Sequence, residues 1–280
     1  MVNERIDIGC VGAFEAFLRD EEKSMATIEK YMHDVRAFFE FIGISDIHKQ
    51  RVLEYKAYLK SAYAVSSANS MIAALNSFFR FCNRHDLCVK QFKIQRQAYC
   101  SEEKELTRAE YLRLLEAADQ KHNERISLII QTICSTGIRV SELQYISVES
   151  VKRGEAVINC KGKTRRIFIV SGLKKKLLRY AKEQNIQSGT VFITKKGAPI
   201  SRSTIWKQMK CLCECADVAP SKVFPHNLRH LFARTFYSLE KDIAKLADIL
   251  GHTSINTTRI YIITTGAEHR RKMEHMHLII

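Results

Sequence analysis

Apolar residues recur at three- and four-residue spacing through the first hundred positions. Phe14, Phe17 and Leu18 fall on one helical face, and Ser24 stands where a cap opens a second helix carrying Ile28, Tyr31, Met32, Val35, Phe38 and Phe39. Gly43 ends that helix. A third is expected over roughly residues 49–59 on Val52, Leu53, Tyr55 and Tyr58, and a fourth over about 66–84 on Met71, Ile72, Leu75, Phe78, Phe79 and Cys82. Four helices joined by short connections predict a small bundle. Residues 88–106 follow neither a helical nor an alternating pattern, so a domain boundary is placed there; Lys90, Lys93 and Arg96 give it a basic character suited to a nucleic-acid backbone.

Beyond the boundary the periods change. Thr107 is positioned to cap a helix through Leu115, a more apolar helix runs from about Glu124 to Thr136, and Gly137 closes it. Val140 and Leu143 predict a further short helix. Residues 156–160 and 166–170 read as two strands joined by a basic turn at 161–164, the one place in the second half where a small antiparallel sheet is expected. Helices are then expected at about 172–184, 202–215, 226–238, 241–250 and 255–262, with a last amphipathic segment near 267–279. The whole reads as two domains, an all-α bundle and a mainly α domain with a small sheet: residues 1–88, a basic linker at 89–106, a second domain at 107–266, and a terminal helix at 267–280.

Composition narrows the partners. Of 280 residues 46% are hydrophobic and only three are Pro, which argues against long disordered stretches. The net charge of +15 suits nucleic acid or an anionic membrane. Its distribution is uneven: the first hundred residues carry 14 Lys/Arg against 12 Asp/Glu, and the remainder carry 31 against 18. The excess therefore lies with the second domain. The amino-terminal segment is interrupted by Asn3, Glu4, Arg5 and Asp7 and does not resemble a signal, and no apolar run is long enough for a membrane span, so the cytoplasm is the expected compartment. Nine Cys without a small-domain spacing fit a reducing environment. Cys211, Cys213 and Cys215 alternate along an expected helix and do not converge as metal ligands, so no metal site is expected.

Four clusters in the second domain have chemical potential. His226, Arg229 and His230 lie at i, i+3 and i+4, and Pro225 before them suits a first helical turn, which puts His226 at a helix amino terminus where anions are favoured. Arg229 has the planar fork that clamps two phosphate oxygens. Arg139 follows a helix-ending glycine, with Glu142 one turn on; the pair reads either as half of a phosphate clamp or as a surface salt bridge. Lys161 opens the hairpin turn and can reach a leaving oxygen, with Lys163, Arg165 and Arg166 as competitors or general DNA contacts. His252 follows Gly251, and Ser254 caps a short helix carrying Thr257, Thr258 and Tyr261. A tyrosine of ordinary pKa near 10 needs a neighbouring base or cationic field to attack.

Taken together and in order, these residues resemble the tyrosine recombinase, or phage-type integrase, family and its Arg, Lys, His-x-x-Arg, His/Trp, Tyr pattern. The resemblance implies that Arg139 is the first catalytic arginine, Lys161 the hairpin lysine, His226 and Arg229 the paired His and Arg, His252 the His/Trp position and Tyr261 the nucleophile, supported by Glu142 and His230. It also implies that the leading bundle is a SAM-like core-binding domain, and the size is nearest to Xer-like and small mobile-element recombinases. The implied chemistry uses no metal or other cofactor. Tyr261 attacks a DNA phosphorus to give a 3′-phosphotyrosyl link, and strands are exchanged through a Holliday junction by four copies on two duplexes bearing paired inverted half-sites. The free protein is expected as a monomer or weak oligomer.

Two alternatives share some of these features. A type IB topoisomerase uses similar groups but rejoins the same strand, and a non-cutting DNA-binding regulator has no need for the complete set. The segment after Tyr261 places Met273, Met276, Ile279 and Ile280 near one helical side, which fits a helix that links protomers.

Overall fold

Ser24 accepts the Thr27 amide and opens α2 (Met25–Ile42), whose buried side is made by Ile28, Met32, Val35, Phe38, Phe39 and Ile42. The computed structural model describes residues 9–43, 46–94, 105–160, 163–262 and 273–275, the side chains of residues 160 and 163 excepted. The chain divides into two compact units, Met1–Arg96 and Gln97–Ile280.

In the first unit, α1 (Cys10–Asp20), α2, α3 (Lys49–Ala62) and α4 (Val65–Phe81) bury one aromatic-rich core, with α2 packed most extensively on α4. The fourth helix stops three residues before the expected Arg84, where Asn83 takes a left-handed conformation. Two asparagines then carry the core past the expected boundary. Asn76 donates to the Val89 carbonyl at 2.8 Å and accepts the Val89 amide at 2.9 Å; Asn69 does the same for Phe92 at 2.9 and 2.8 Å. Each amide side chain thus satisfies a backbone donor and acceptor in a segment that has no secondary-structure partner. Val89 is buried and Phe92 packs on the same core, so this stretch belongs to the first unit.

The second unit begins with α5 (Arg108–Gln120), held by a reciprocal Thr107–Glu110 capping box, and α6 (Glu124–Thr136), which ends at left-handed Gly137. Leu106 lies in its core, and Arg234 donates to the Leu106 carbonyl at 2.7 Å. A 3₁₀ turn (Val140–Tyr145) leads to α7 (Val148–Arg153), a helix the sequence did not announce; Ser147 and Ser150 cap it reciprocally. Strands β1 (Glu155–Cys160) and β2 (Lys163–Phe168) pair antiparallel, and their ladder extends three residues closer to the turn than expected, to Cys160 opposite Lys163.

After α8 (Ser171–Glu183), α9 (Arg202–Lys210) ends five residues early. Its continuation is a turn whose carbonyls are taken from outside: Lys121 donates to Cys211 O at 2.7 Å, and Arg113 donates to Ala216 O and Asp217 O at 2.8 and 2.9 Å. Cys211 and Cys215 are therefore exposed on a turn while Cys213 is buried, instead of lying along one helix. The chain closes with α10 (Pro225–Glu240), α11 (Ile243–Leu250) and α12 (Ile255–Tyr261), which share a small cluster of Ala233, Leu246, Leu250 and Tyr261. Among the described residues no helix is long and apolar enough to cross a membrane.

Candidate active site

The site forms where α11 ends. Asp242 accepts the amides of Ala244 and Lys245 to start that helix, and Gly251, at φ 64°, stops it. The last carbonyls of a helix have no intrahelical donor and carry the negative end of its dipole. Three arginines supply the missing donors. Leu250 O accepts from Arg229 Nη2 at 2.6 Å and from Arg165 Nη1 at 2.8 Å, and Gly251 O accepts from Arg139 Nη2 at 3.4 Å.

Arg229 comes from the first turns of α10, which Pro225 starts. It is only 1% exposed, and its other Nη donates to the carbonyl of Gly137, the cap of α6. A second helix end thus faces the same guanidinium. No carboxylate pairs with it among the described residues. Burial, and after it the charge of Arg139, pull Arg229 down to about 10, which leaves it a cation at neutral pH.

Arg139 is 38% exposed and donates to Glu142 Oε1 at 2.9 Å, while its backbone amide donates to Oε2 at 2.9 Å. Glu142 is almost fully buried, so this is not the surface ion pair that was one reading of the spacing. Arg165 takes the same carboxylate, Nη2 to Oε2 at 2.6 Å, and is 13% exposed. Expected as a DNA contact, Arg165 is turned inward; period two along β2 puts it with buried Ile167 and Ile169 and opposite exposed Arg166 and Phe168. That alternation is the sequence signal that identifies its direction.

Tyr261 is 6% exposed at the end of α12, and its ring is enclosed. His230 stacks on it at 4.1 Å between centroids and 21° between planes, His226 meets it edge-on at 5.1 Å, His252 lies at 5.0 Å, and the Arg229 guanidinium is 5.9 Å from its centre. His252 Nε2 lies 3.1 Å from Arg229 Nη2. A guanidinium only donates, so this nitrogen accepts and the imidazole proton sits on Nδ1, donated to the buried Thr258 Oγ1 at 2.9 Å. Thr258, named in the sequence only among the residues that the short helix carries, fixes that tautomer.

Burial and the neighbouring cations act together on the histidines. Burial first, then His226 and Arg229, depress His230 to about 4; burial first, then Arg229, Arg139 and Arg165, depress His252 to about 4. His226, the most exposed of the three, is lowered by burial, Arg229 and Arg139. All three shifts favour the neutral imidazole, and in His252 both ring nitrogens are already engaged, by Arg229 and Thr258. Three guanidiniums and one buried carboxylate give the pocket a positive balance beside a phenol, an arrangement suited to a phosphodiester.

Lys161 lies outside the described residues, as do Arg96 and the side chain of Lys163. Lys90 and Lys93 are exposed in the first unit, and Arg166 is exposed with Glu155 at 3.9 Å. Of the terminal segment only residues 273–275 are described, with Met273 60% exposed; Met276, Ile279 and Ile280 lie outside the described residues.

A phage integrase family model matches residues 104–267, and a model of the phage integrase N-terminal SAM-like domain matches residues 11–86. The chain is 31% identical over 271 residues to the tyrosine recombinase XerA of Thermococcus kodakarensis, covering 93% of this chain and 92% of the relative. Its fold is similar to that of the XerH site-specific recombinase bound to difH substrate, with a TM-score of 0.69, 20% identity and coverage of 95% and 84%. A lambda integrase tetramer bound to a Holliday junction gives a TM-score of 0.75 at 17% identity, with coverage of 92% and 78%.

Proposed function

The chain belongs to the phage integrase family of tyrosine recombinases, and on that premise we propose that it cuts and rejoins DNA at specific sites with Tyr261 as nucleophile. The single observation that carries the assignment is the enclosure of the Tyr261 ring by His226, His230, His252 and Arg229. Tyr261 Oη attacks the phosphorus while neutral His226 accepts the phenolic proton. Arg139 and Arg229 hold the charge that develops on the nonbridging oxygens, and Lys161 protonates the departing 5′ oxygen. His252, accepting from Arg229 and donating to Thr258, keeps the guanidinium aimed. Glu142 and His230 support the two halves of the clamp.

One P–O bond forms to tyrosine as one breaks to the 5′ oxygen. The link energy is kept, and a 5′-hydroxyl from a second duplex reverses the step, so no nucleotide triphosphate enters. The XerA relative is named a tyrosine recombinase, which favours exchange between duplexes over relaxation of one. We extend to this chain the assembly that the lambda integrase neighbour displays, four copies on a Holliday junction. The substrate carries paired inverted half-sites, and cytoplasmic DNA is the substrate pool. In this reading the first unit and residues such as Lys90, Lys93 and Arg96 grip the duplex with Lys163 and Arg166, and residues 267–280 link protomers.

The test is covalent capture: full-length protein is incubated with fragmented genomic DNA, denatured, and the attached DNA sequenced. Capture at a defined site is expected from the native chain and none from Tyr261→Phe, with duplex binding retained. An adduct that survives in Tyr261→Phe overturns the assignment of the nucleophile.

A further inference from the structure

Arg165 has no place in the reaction as written, yet it touches both halves of the clamp. Its Nη2 donates to Glu142 Oε2 at 2.6 Å, the oxygen that also takes the Arg139 amide, while Oε1 of the same carboxylate holds Arg139 Nη1 at 2.9 Å. Its Nη1 donates to Leu250 O at 2.8 Å, the carbonyl that also takes Arg229 Nη2 at 2.6 Å. One guanidinium thus shares an acceptor with each of the two arginines assigned to the phosphate, and at 13% exposure it has little surface with which to meet a substrate itself. The backbone makes room for it. Gly251 sits at φ 64°, and a Cβ there would fall 2.4 Å from Arg165 Nη1 and 2.7 Å from its Cδ.

Charge gives the arrangement its purpose. Glu142 paired with Arg139 alone would cancel the field that Arg139 presents to an anion; a second guanidinium on the same carboxylate leaves the trio with a net positive charge. Geometry adds to this, because a carboxylate held from two sides cannot swing and carry Arg139 with it.

Resting on the function proposed above, we infer that Arg165 is a positioning residue for phosphate activation: it fixes Glu142 behind Arg139 and the end of α11 behind Arg229 and His252. Both Arg165→Met and Arg165→Lys, in the full chain, test it. The substrate is a nicked suicide duplex built from the site recovered by covalent capture, carrying either the ordinary scissile phosphate or a methylphosphonate, which has lost one nonbridging charge. Duplex binding and thermal unfolding are followed in parallel.

On the phosphate, single-turnover cleavage by Arg165→Met is expected to fall about 100-fold, the scale of a 1 Å misplacement of catalytic groups, with binding near that of the native chain and partial recovery in Arg165→Lys. On the methylphosphonate, which asks less of the clamp, the gap between variant and native protein is expected to narrow. Equal loss on both substrates, in step with a fall in unfolding temperature, would reduce Arg165 to packing and overturn the proposal, as would undiminished cleavage of the phosphate. If the native chain itself forms no adduct, the recombinase reading falls first and takes this one with it, which separates the two failures.

Discussion

The two units bury different things. In the first, the largest fully buried side chains are Phe14, Phe38, Phe78, Phe79 and Tyr55, packed edge to face, with Phe14 5.3 Å from Phe78 and Phe38 5.7 Å from Phe79. In the second, the largest is Arg229. An aromatic core gains from every contact and its energy is indifferent to substrate. A buried guanidinium faced by helix ends and not by a carboxylate is tolerated, and its remaining positive field is what an incoming anion meets. The helical unit is built to stay folded; the other holds its charge in readiness.

Phe38→Ala should give the largest effect on stability, about 3–5 kcal/mol for truncating a buried aromatic, read as loss of hydrogen-exchange protection in α2–α4. Amides of α6 and α10 should keep theirs; equal losses in both units would break the contrast. Arg229→Lys reverses the pattern. It keeps a charge but cannot reach Gly137 O, Leu250 O and His252 together, so cleavage of the captured site should drop about 100- to 1,000-fold, the usual cost of a lost transition-state donor, with binding much less affected.

Gly137→Ala sharpens the point at which packing and chemistry meet. At φ 64° its new methyl would lie 2.5 Å from the Phe232 ring of α10, the helix that carries His226 and Arg229. A strain of about 1–3 kcal/mol is expected, and a matching fall in both unfolding temperature and cleavage rate would show that the two share this contact.

The smallest effect is graded. His230 and His252 have folded-state values near 4, below the ordinary 6.5 of the unfolded chain. As pH falls the unfolded state takes up protons first, so stability is full above about 6.5 and declines progressively toward 4. Denaturant titrations at pH 7.5 and 5 check this; His230→Phe, which retains a ring against Tyr261, should flatten the slope.

Much of this was legible in the residues. The spacing of Ile28, Met32, Val35 and Phe38, the Thr107–Glu110 pair and the glycine at 137 each gave their element because local chemistry alone decides them. The early end of α9 was not, since the donors that take the carbonyls of the turn after it, Arg113 and Lys121, lie about a hundred positions away in sequence. Asn69 and Asn76 hid the true extent of the first unit for the same reason: side chains that imitate a strand partner leave no periodic trace. The order of Arg139, His226, Arg229, His252 and Tyr261 disclosed the candidate site, whereas its organisation around the last carbonyls of α11 is a property of backbone atoms, which every residue possesses and no letter marks. Arg165 was missed as a partner because β2 brings it to Glu142, 23 positions earlier, and Thr258 because its bond to His252, six positions before it, depends on how the chain turns between α11 and α12.

That arrangement at the end of α11 also bears on what the proposed clamp needs in order to exist. Arg139 reaches Gly251 across 112 positions and Arg229 reaches Gly137 across 92, so no local stretch of chain assembles the clamp by itself. A chain in which these contacts are unmade has Tyr261 without Arg229 held beside it. Cutting by the proposed clamp therefore requires the assembled tertiary structure, since no single helix carries both its arginines and its tyrosine.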